Sequence, residues 1–307
     1  MDVTVVSSLR VLQDSVETRK PEWLKVHAPG GKKYAAMKKR ARRLTLATVC
    51  EEARCPNIGE CWGEGTATFM LMGEICTRGC RFCAVTTKRQ PPALDVDEPQ
   101  KIAEAVAEMG LRYVVLTSVN RDELDDGGAI HLAQCIDAIR EKSPDVLIEM
   151  LSPDFEGKHA SIEALVWTDL AVFAHNVETV ERLTPAVRDP RASYEQTLDV
   201  LHYAKQIRPE LLTKSSIMVG LSETEEEVYQ TLKDLKEVSV DIVTLGQYLR
   251  PTHKHLPVHE YVTPEKFQRF EDMASQLGFD FVAAGPLVRS SYKAGELYVE
   301  GRLKAIQ

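Results

Sequence analysis

Short apolar, β-rich runs alternate with helical patterns along most of this chain, and this alternation restricts the fold more than any other feature. The candidate strands lie at 67–72, 113–118, 146–151, 170–174, 213–219 and 241–246, with a weaker seventh at 279–283. Apolar residues at helical spacing fall between them, at 100–109, 127–141, 194–207, 223–238 and 264–277. Six or seven βα units predict a parallel sheet of the α/β class, and there are too few residues for a full eight-unit barrel. The predicted fold is a partial (β/α)6-type TIM barrel.

The domain prediction places this barrel between two extensions. We found no Gly/Ser-rich or Pro-rich linker long enough to separate independent domains among the 307 residues. The expected parts are an N-terminal extension at 1–65, the barrel at 66–284 and a C-terminal extension at 285–307. The N-terminal extension contains a basic segment and a group of cysteines, and the C-terminal extension contains the sequence Arg-Ser-Ser-Tyr.

The composition is that of a globular protein, with 44% hydrophobic and 27% charged residues and a formal net charge of -8. This balance excludes a chain that is mainly disordered. The sequence has no apolar run of 18 residues, and residues 1–10 lack the basic and then apolar pattern of a secretory signal. We therefore expect no membrane association and a cytoplasmic location, or one in a comparable reducing compartment.

Positive charge is concentrated near the N-terminus. Residues 19–43, here called the basic arm, contain ten Lys and Arg residues and one acid, Glu22, which gives this segment +9 and the remainder -17. The arm is either a solvated helix face or an electrostatic docking surface. A nucleic-acid partner is not expected, because aromatic residues are not interleaved with the cations and the rest of the chain would repel phosphates. An acidic protein partner fits this distribution better.

Six of the seven cysteines lie between positions 50 and 83, which indicates metal binding rather than disulfides in a reducing compartment. Cys76, Cys80 and Cys83 form a CxxxCxxC motif on one short loop, with Gly79 expected to relieve the backbone there. Three thiolates can ligate three corners of a [4Fe–4S] cube and leave the fourth iron open. Structural zinc is the alternative, but it would ordinarily need a fourth Cys or His in paired CxxC spacing.

A second triple, Cys50, Cys55 and Cys61, precedes the first with the spacing CxxxxCxxxxxC. Three cysteines on a polar loop containing Pro and Gly are poor core material, so we interpret them as a separate metal site with an unassigned fourth ligand. Cys135 is one candidate for that ligand. It lies among apolar residues of a predicted helix, where core packing is the favoured interpretation.

The segment CTRGCRFCAV, following an apolar strand that opens a βα barrel, resembles the radical S-adenosylmethionine (SAM) superfamily. The resemblance implies that SAM chelates the open iron and is cleaved by one electron to a 5′-deoxyadenosyl radical. It also implies that Phe82 lies near the adenine, although simple loop packing is an alternative for this residue.

Both cysteine triples together with the sequence Arg-Ser-Ser-Tyr at 289–292 resemble the lipoyl synthase family over nearly the entire chain. Further matching stretches are RKPEWLK, CPNIGECW, DDGGA, AHNVET, TKSSIMVGLSET and QYLRPT. The resemblance implies a second [4Fe–4S] cluster held by the upstream triple and Ser291. It implies insertion of two sulfur atoms at C6 and C8 of a protein-bound octanoyl-lysine, with this auxiliary cluster as the sulfur donor.

The resemblance also implies the partners. The octanoyl group would arrive on a lipoyl-carrier domain, either the E2 subunit of a 2-oxoacid dehydrogenase or the glycine cleavage H protein. Electrons would come from a donor such as ferredoxin or flavodoxin. Because such carriers are generally acidic, the basic arm is expected to dock them.

Candidate SAM-binding residues are polar side chains at or near predicted strand ends: Asn120, Asp122, Asn176, Lys214 and Gln247. Lys214 could pair with the methionyl carboxylate. For each residue, an ordinary loop or core hydrogen bond is the competing interpretation.

Two other functions stay open at this point. A different radical sulfur-inserting enzyme, such as a biotin-synthase-like or methylthio-transferring one, would keep CxxxCxxC but not the second triple and Arg-Ser-Ser-Tyr together. A non-enzymatic iron–sulfur or zinc protein would need closed ligand sets and no barrel.

Overall fold

The computed structural model describes residues 19–25, 30, 35, 38–39, 48, 57–58 and 66–290. Seven parallel strands form its main sheet in the order β1-β4-β5-β6-β7-β8-β9. Their bounds are Thr66–Leu71 for β1, Tyr113–Ser118 for β4, Leu147–Leu151 for β5, Val172–Ala174 for β6, Leu212–Val219 for β7, Ile242–Gln247 for β8 and Phe281–Gly285 for β9. Two very short strands, β2 (Ile75–Cys76) and β3 (Thr86–Thr87), pair with each other.

Helices connect the successive strands of the main sheet. They are α1 (Glu98–Met109), α2 (Ala129–Lys142), α3 (His159–Val166), α4 (Thr184–Val187), α5 (Tyr194–Ile207), α6 (Glu225–Glu237) and α7 (Pro264–Gln276). Three 3₁₀ turns lie at Glu22–Leu24, Phe155–Gly157 and Glu181–Leu183. Since each helical crossover moves the chain one strand along the sheet, all carboxyl ends of the strands meet at one edge.

The predicted partial (β/α)6 barrel is confirmed, including the weaker seventh strand. Thr263 is the N-cap of α7, because its hydroxyl accepts a hydrogen bond from the N–H of Lys266. The sequence pattern did not reveal α3 and α4. The proposed division at positions 65 and 284 stays a prediction, although the parallel strands span Thr66 to Gly285.

Ser222 and Glu225 have the sequence spacing of a capping box, but they do not form one at the start of α6. Thr224 is the N-cap, and it exchanges hydrogen bonds with Glu227. Ser222 cannot serve because its φ of 86° places it in the left-handed region, before the helix begins. The helix therefore starts two residues later than the pattern indicated.

Three polar side chains are buried together inside the barrel, beneath its open end. The Lys214 ammonium on β7 contacts both carboxylate oxygens of Glu149 on β5, at 2.8 and 2.9 Å, and the Tyr113 hydroxyl donates to the same carboxylate at 2.7 Å. Both charged side chains are 3% exposed. The last residues of β4 and β5, Ser118 and Leu151, are half-buried instead. The barrel is therefore sealed at the level of this ion pair and opens toward the carboxyl ends of its strands.

This arrangement predicts strongly unequal effects of two substitutions. Lys214→Met leaves the Glu149 carboxylate buried without its cation and is expected to lower the free energy of unfolding by about 3–5 kcal/mol. The double variant Lys214→Met with Glu149→Gln removes both charges and keeps an oxygen that can accept from Tyr113. Its free energy of unfolding should therefore fall much less. Urea denaturation of both variants measures the difference. A double variant as unstable as Lys214→Met would contradict the prediction.

Candidate active site

The three cysteines of CxxxCxxC lie on a loop that is closed at its base by β2 and β3. Cys76 ends β2, and the N–H of Lys88 donates to the Cys76 carbonyl at 3.0 Å just beyond β3. The Thr87 hydroxyl donates to the carbonyl of Arg78 at 3.1 Å across the loop. Residues 76–87, here called the cluster loop, are thus a closed unit at the mouth of the barrel.

Loops that follow four different strands hold the cluster loop in place. After β4, the Asn120 carbonyl accepts from the N–H of Thr77 at 3.0 Å. After β6, the Val187 carbonyl accepts from the N–H of Arg81 at 2.9 Å, and the Asp189 carboxylate accepts from the N–H of Gly79 at 2.8 Å. After β8, the ring Nε2 of His255 donates to the Cys83 carbonyl at 2.9 Å. The fourth of these loops, which follows β5, binds a side chain that belongs to the cluster loop.

That side chain is Arg78, whose guanidinium lies between two carboxylates. Its Nη2 donates to Asp122 after β4 and to Asp154 after β5, each at 2.7 Å, and its Nε also contacts Asp122. Burial acts to lower the pKa of Arg78, but its hydrogen bonds to the two carboxylates raise it overall. Burial acts to raise the pKa of Asp154, and the Arg78 hydrogen bond lowers it overall. The cluster loop is therefore bound to the barrel by a buried network of salt bridges.

The network continues outward through Arg191. This side chain bonds Asp189 through Nε at 2.8 Å and Asp122 through Nη1 at 3.0 Å. Burial acts to raise the pKa of Asp189, but hydrogen bonds from Arg191 and from the Gly79 N–H hold that pKa at about 2. Asp189 is therefore an anion at neutral pH, and it fixes the backbone between two of the cysteines.

The three thiols suit an iron–sulfur cluster in their chemistry and surroundings. Cys76, Cys80 and Cys83 are free and half-buried. Backbone N–H groups of Asn120 and Asp189 point at the sulfurs of Cys76 and Cys80, each at 3.3 Å. Burial raises the pKa of Cys83 to about 12 and raises that of Cys80 as well, so a thiolate form needs a cationic metal partner. Hydrogen bonds to cluster sulfurs are a recognised feature of such sites.

Gly79 does not serve the purpose expected from the sequence. A Cβ there would meet only the Thr87 methyl group at 3.9 Å, which is ordinary contact, and its φ does not lie in the left-handed region. The backbone of the loop itself therefore does not require glycine at this position. Its defined role in the structure is to donate its N–H to Asp189.

Several buried polar atoms at the same barrel edge lack hydrogen-bond partners within the described residues. They are Ser118 Oγ, His175 Nε2 and Asn176 Oδ1. His175 donates from Nδ1 to the Ser152 carbonyl at 2.8 Å, and burial lowers its pKa to about 4, so Nε2 is an unprotonated acceptor at neutral pH. Buried acceptors of this kind are expected to receive hydrogen bonds from a bound ligand. Asn176 was predicted as a SAM-binding residue, and its position fits that role.

Glu178 is a candidate that sequence reasoning did not single out. It adopts a left-handed φ of 68°, accepts a hydrogen bond from Asn176 Nδ2 at 3.1 Å, and has its pKa raised by burial. Left-handed conformations of non-glycine residues cost energy and concentrate at functional sites. The matching stretch AHNVET was the available signal, but nothing in it indicates the backbone conformation.

The other predicted SAM-binding residues have protein partners. Lys214 pairs with Glu149 below the mouth, and Asp122 binds Arg78 and Arg191. The Gln247 amide donates to the carbonyls of Val219, Tyr248 and Glu260 and accepts from the N–H of Val262. For Lys214 and Gln247 the structure thus favours the competing interpretation, a core hydrogen bond.

Asn120 and Phe82 are placed beside the cluster loop. Asn120 contributes its backbone, which accepts from Thr77 and donates to Cys76. Phe82 is half-buried and packs against a core cluster of the barrel. Both residues stay predictions as SAM contacts.

The second triple, Cys50, Cys55 and Cys61, and its predicted partner Ser291 lie outside the described residues, as does most of the basic arm.

Cys135 is fully buried in the core, as expected. Its sulfur lies within 4.8 Å of ligand atoms of Glu98 and His131. In that group, Glu98 already accepts from His131 Nε2 at 2.6 Å and from the Met72 N–H at 2.9 Å. These bonds connect the end of β1 to α1 and α2.

Among the described residues, no helix has the length and apolar character needed to span a membrane.

Comparison with known families agrees with the geometry. A family model of the radical SAM superfamily matches residues 70–235, and one of the N-terminal domain of lipoyl synthase matches residues 6–55. Among solved structures, methylornithine synthase (PylB) is similar with a TM-score of 0.53 and 12% identity, covering 100% of this chain and 93% of that one. The hydrogenase maturase HydG from Carboxydothermus hydrogenoformans has a TM-score of 0.51 and 14% identity, with 98% and 78% covered. At these identities the likeness concerns the fold alone.

Curated relatives are much more similar in sequence. The mitochondrial lipoyl synthase of Drosophila ananassae is 58% identical, over 93% of this chain and 77% of the relative. The corresponding proteins of Bos taurus and Xenopus laevis are 55% and 54% identical, over 94% and 95% of this chain and 79% and 80% of the relatives.

The prediction of a cytoplasmic location is wrong, since these relatives are all named as mitochondrial. That prediction depended on the opening residues and on free cysteines. Free cysteines indicate only a reducing environment, which the mitochondrial matrix also provides.

The family match at 70–235, the relatives at 54–58% identity and the three-thiol loop at the barrel mouth agree. The chain is a radical SAM enzyme, whose superfamily binds a [4Fe–4S] cluster and SAM, and it belongs to the lipoyl synthase family.

Proposed function

We propose that this enzyme inserts two sulfur atoms at C6 and C8 of an octanoyl group that is attached to a lysine of a carrier protein, giving the lipoyl cofactor. The observation that carries the proposal is the cluster loop, with three thiols at the mouth of a barrel of this family. The hydrogens at C6 and C8 are not acidic, so general acid–base chemistry cannot remove them. When bound, the cluster and SAM would supply the electron and the 5′-deoxyadenosyl radical that can.

The residues of this chain would prepare the site for that chemistry. Cys76, Cys80 and Cys83 would hold three irons, and the Arg78 network would keep their loop fixed over the barrel. His175 and Asn176 would accept hydrogen bonds from the nucleoside or amino groups of SAM. In each of the two insertions one C–H bond is replaced by one C–S bond, and the hydrogen leaves in 5′-deoxyadenosine.

The sulfur would come from a second [4Fe–4S] cluster held by Cys50, Cys55, Cys61 and Ser291. Thiolates are the usual ligands of iron in such clusters. A hard serine oxygen would be an easier ligand to release than a fourth thiolate when the cluster is consumed. A contact between the two ends of the chain supports this site: Asn57, between Cys55 and Cys61, donates to the carbonyl of Leu287 at 2.6 Å, four residues before Ser291.

The partners follow from the reaction. We propose that the substrate is an octanoylated lipoyl-carrier domain of an E2 subunit or H protein, that ferredoxin or flavodoxin donates the electrons, and that the enzyme acts in mitochondria. A basic groove supports docking of an acidic carrier, because Arg19 and Lys20 of the basic arm line it together with Arg250 and His253. The loop of these last two residues continues to His255, which bonds the cluster loop.

A direct assay tests the reaction. The reconstituted, reduced enzyme is incubated without oxygen with SAM and an octanoyl-lysyl peptide, and the peptide mass is followed. We expect a product with two added sulfurs and, before turnover, about eight irons per chain with matching sulfide. Four irons and no sulfur insertion would contradict the proposal, and zinc without sulfide would indicate a binding protein instead.

Neutralising the basic arm tests the carrier. The triple variant Lys38→Gln, Lys39→Gln and Arg40→Gln should raise KM for an octanoylated carrier domain by about three- to tenfold at low salt, because rim charges steer association. The difference should shrink at high salt, where charges are screened. Turnover of the short peptide serves as the control and should not change. An unchanged KM for the carrier domain at both salt concentrations would remove the docking role.

A further inference from the structure

Described residues from the N-terminal part of the chain contact the structure at both edges of the open sheet. Thr48, two residues before Cys50, is buried and forms an antiparallel bridge with Phe69 on β1, the first strand of the sheet order. Leu287 follows β9, the last strand of that order. The Asn57 side chain donates to the Leu287 carbonyl at 2.6 Å, so a residue nine positions after Thr48 is bonded to a residue that follows β9.

Asn57 is well suited to act as a fixed connection. It is 4% exposed, and its neighbour Ile58 is part of the hydrophobic core. This partly buried hydrogen bond is costly to lose, because the Leu287 carbonyl would be left without that donor. The residue lies between two of the proposed ligands of the second cluster and acts on the segment that leads to a third.

Gly246 on β8 allows that C-terminal segment to lie close to the sheet. A Cβ at Gly246 would come within 2.2 Å of the Val288 carbonyl oxygen and 3.1 Å of its carbonyl carbon. These are backbone atoms, so any larger residue would have to displace residues 286–289. By contrast, a Cβ at Gly285 would meet only a Val288 methyl group, at 3.3 Å. The close approach therefore depends on Gly246 and much less on Gly285.

We propose that Asn57 and Gly246 are positioning residues for the auxiliary [4Fe–4S] cluster: they fix residues 286–290, which precede Ser291 in the sequence, against Asn57, which lies between Cys55 and Cys61 in the sequence. This inference rests on the proposed function, since it presupposes the second cluster. The two residues act through backbone placement and do not themselves ligate iron. Loss of either should therefore impair the second cluster and leave the cluster on Cys76, Cys80 and Cys83 in place.

The experiment compares Asn57→Ala and Gly246→Ala with Gly285→Ala as the matched control. Each full-length protein is reconstituted without oxygen, and iron, sulfide and the electron paramagnetic resonance signal of the reduced clusters are measured. Reductive cleavage of SAM in the absence of octanoyl substrate reports the first cluster independently. Thermal unfolding reports whether the barrel is intact.

Asn57→Ala and Gly246→Ala should bind about four irons per chain where the unmodified protein and Gly285→Ala bind about eight, with SAM cleavage retained in all of them. If the unmodified protein binds about eight irons and both variants do too, the positioning role is overturned while the proposed function stands. Loss of SAM cleavage together with the iron would also overturn it, because the inference assigns these residues to the second cluster alone. An unmodified protein with only four irons would refute the second cluster itself.

Discussion

The geometry of the site depends on one buried guanidinium, that of Arg78, held between Asp122 and Asp154. The two carboxylates follow adjacent strands, β4 and β5, so the guanidinium ties the cluster loop to two neighbouring elements of the barrel. Its planar, multidentate donor set suits this task in a way that a lysine ammonium would not. A desolvated charge of this kind is stable only with its partners in place. The position of the three thiols is therefore coupled to the integrity of the sheet.

Around that centre, each loop contributes one or two short contacts instead of an extensive interface. The backbone of Asn120, the carboxylate of Asp189 and the ring of His255 each hold a different part of the cluster loop. These contacts come from residues that are far apart in sequence and meet only because parallel strands end at a common edge. The fold thus converts a local motif of eight residues into a fixed ligand set.

Much of this could be predicted from the sequence, and the failures have physical causes. The strands and the cysteine spacing were recognisable because a period of two or 3.6 and the number of thiols on a loop are local properties. Lys214, predicted as a strand-end residue, lies near the amino end of β7, five residues before Val219, where side chains fill the closed part of the barrel. Asn176, two residues beyond the end of β6, lies at the open edge. The position of each residue along its strand decides whether it lies in the closed part of the barrel or at its open edge, and residue type alone does not reveal that position.

Gly79 and Gly246 show that the sequence alone also does not reveal which glycines the fold requires. The sequence drew attention to Gly79 because it lies between ligands, yet the space around it would accept a side chain. Gly246 has no motif to mark it, and its reason for being glycine is a carbonyl group 42 residues later in the chain. Only the three-dimensional structure shows such a long-range steric requirement.

The polar groups of the site fall into two sets with different purposes. The charged set, formed by Arg78, Arg191 and their carboxylates, is paired throughout and joins the cluster loop to the loops that hold it. The second set is neutral and consists of acceptors such as His175 Nε2 and Asn176 Oδ1 that have no partner among the described residues. Hydrogen-atom abstraction transfers no net charge to or from carbon, so it requires no buried acid or base beside the substrate. Neutral acceptors such as His175 Nε2 and Asn176 Oδ1 suit such chemistry, because they can orient a ligand through hydrogen bonds without taking part in the hydrogen-atom transfer.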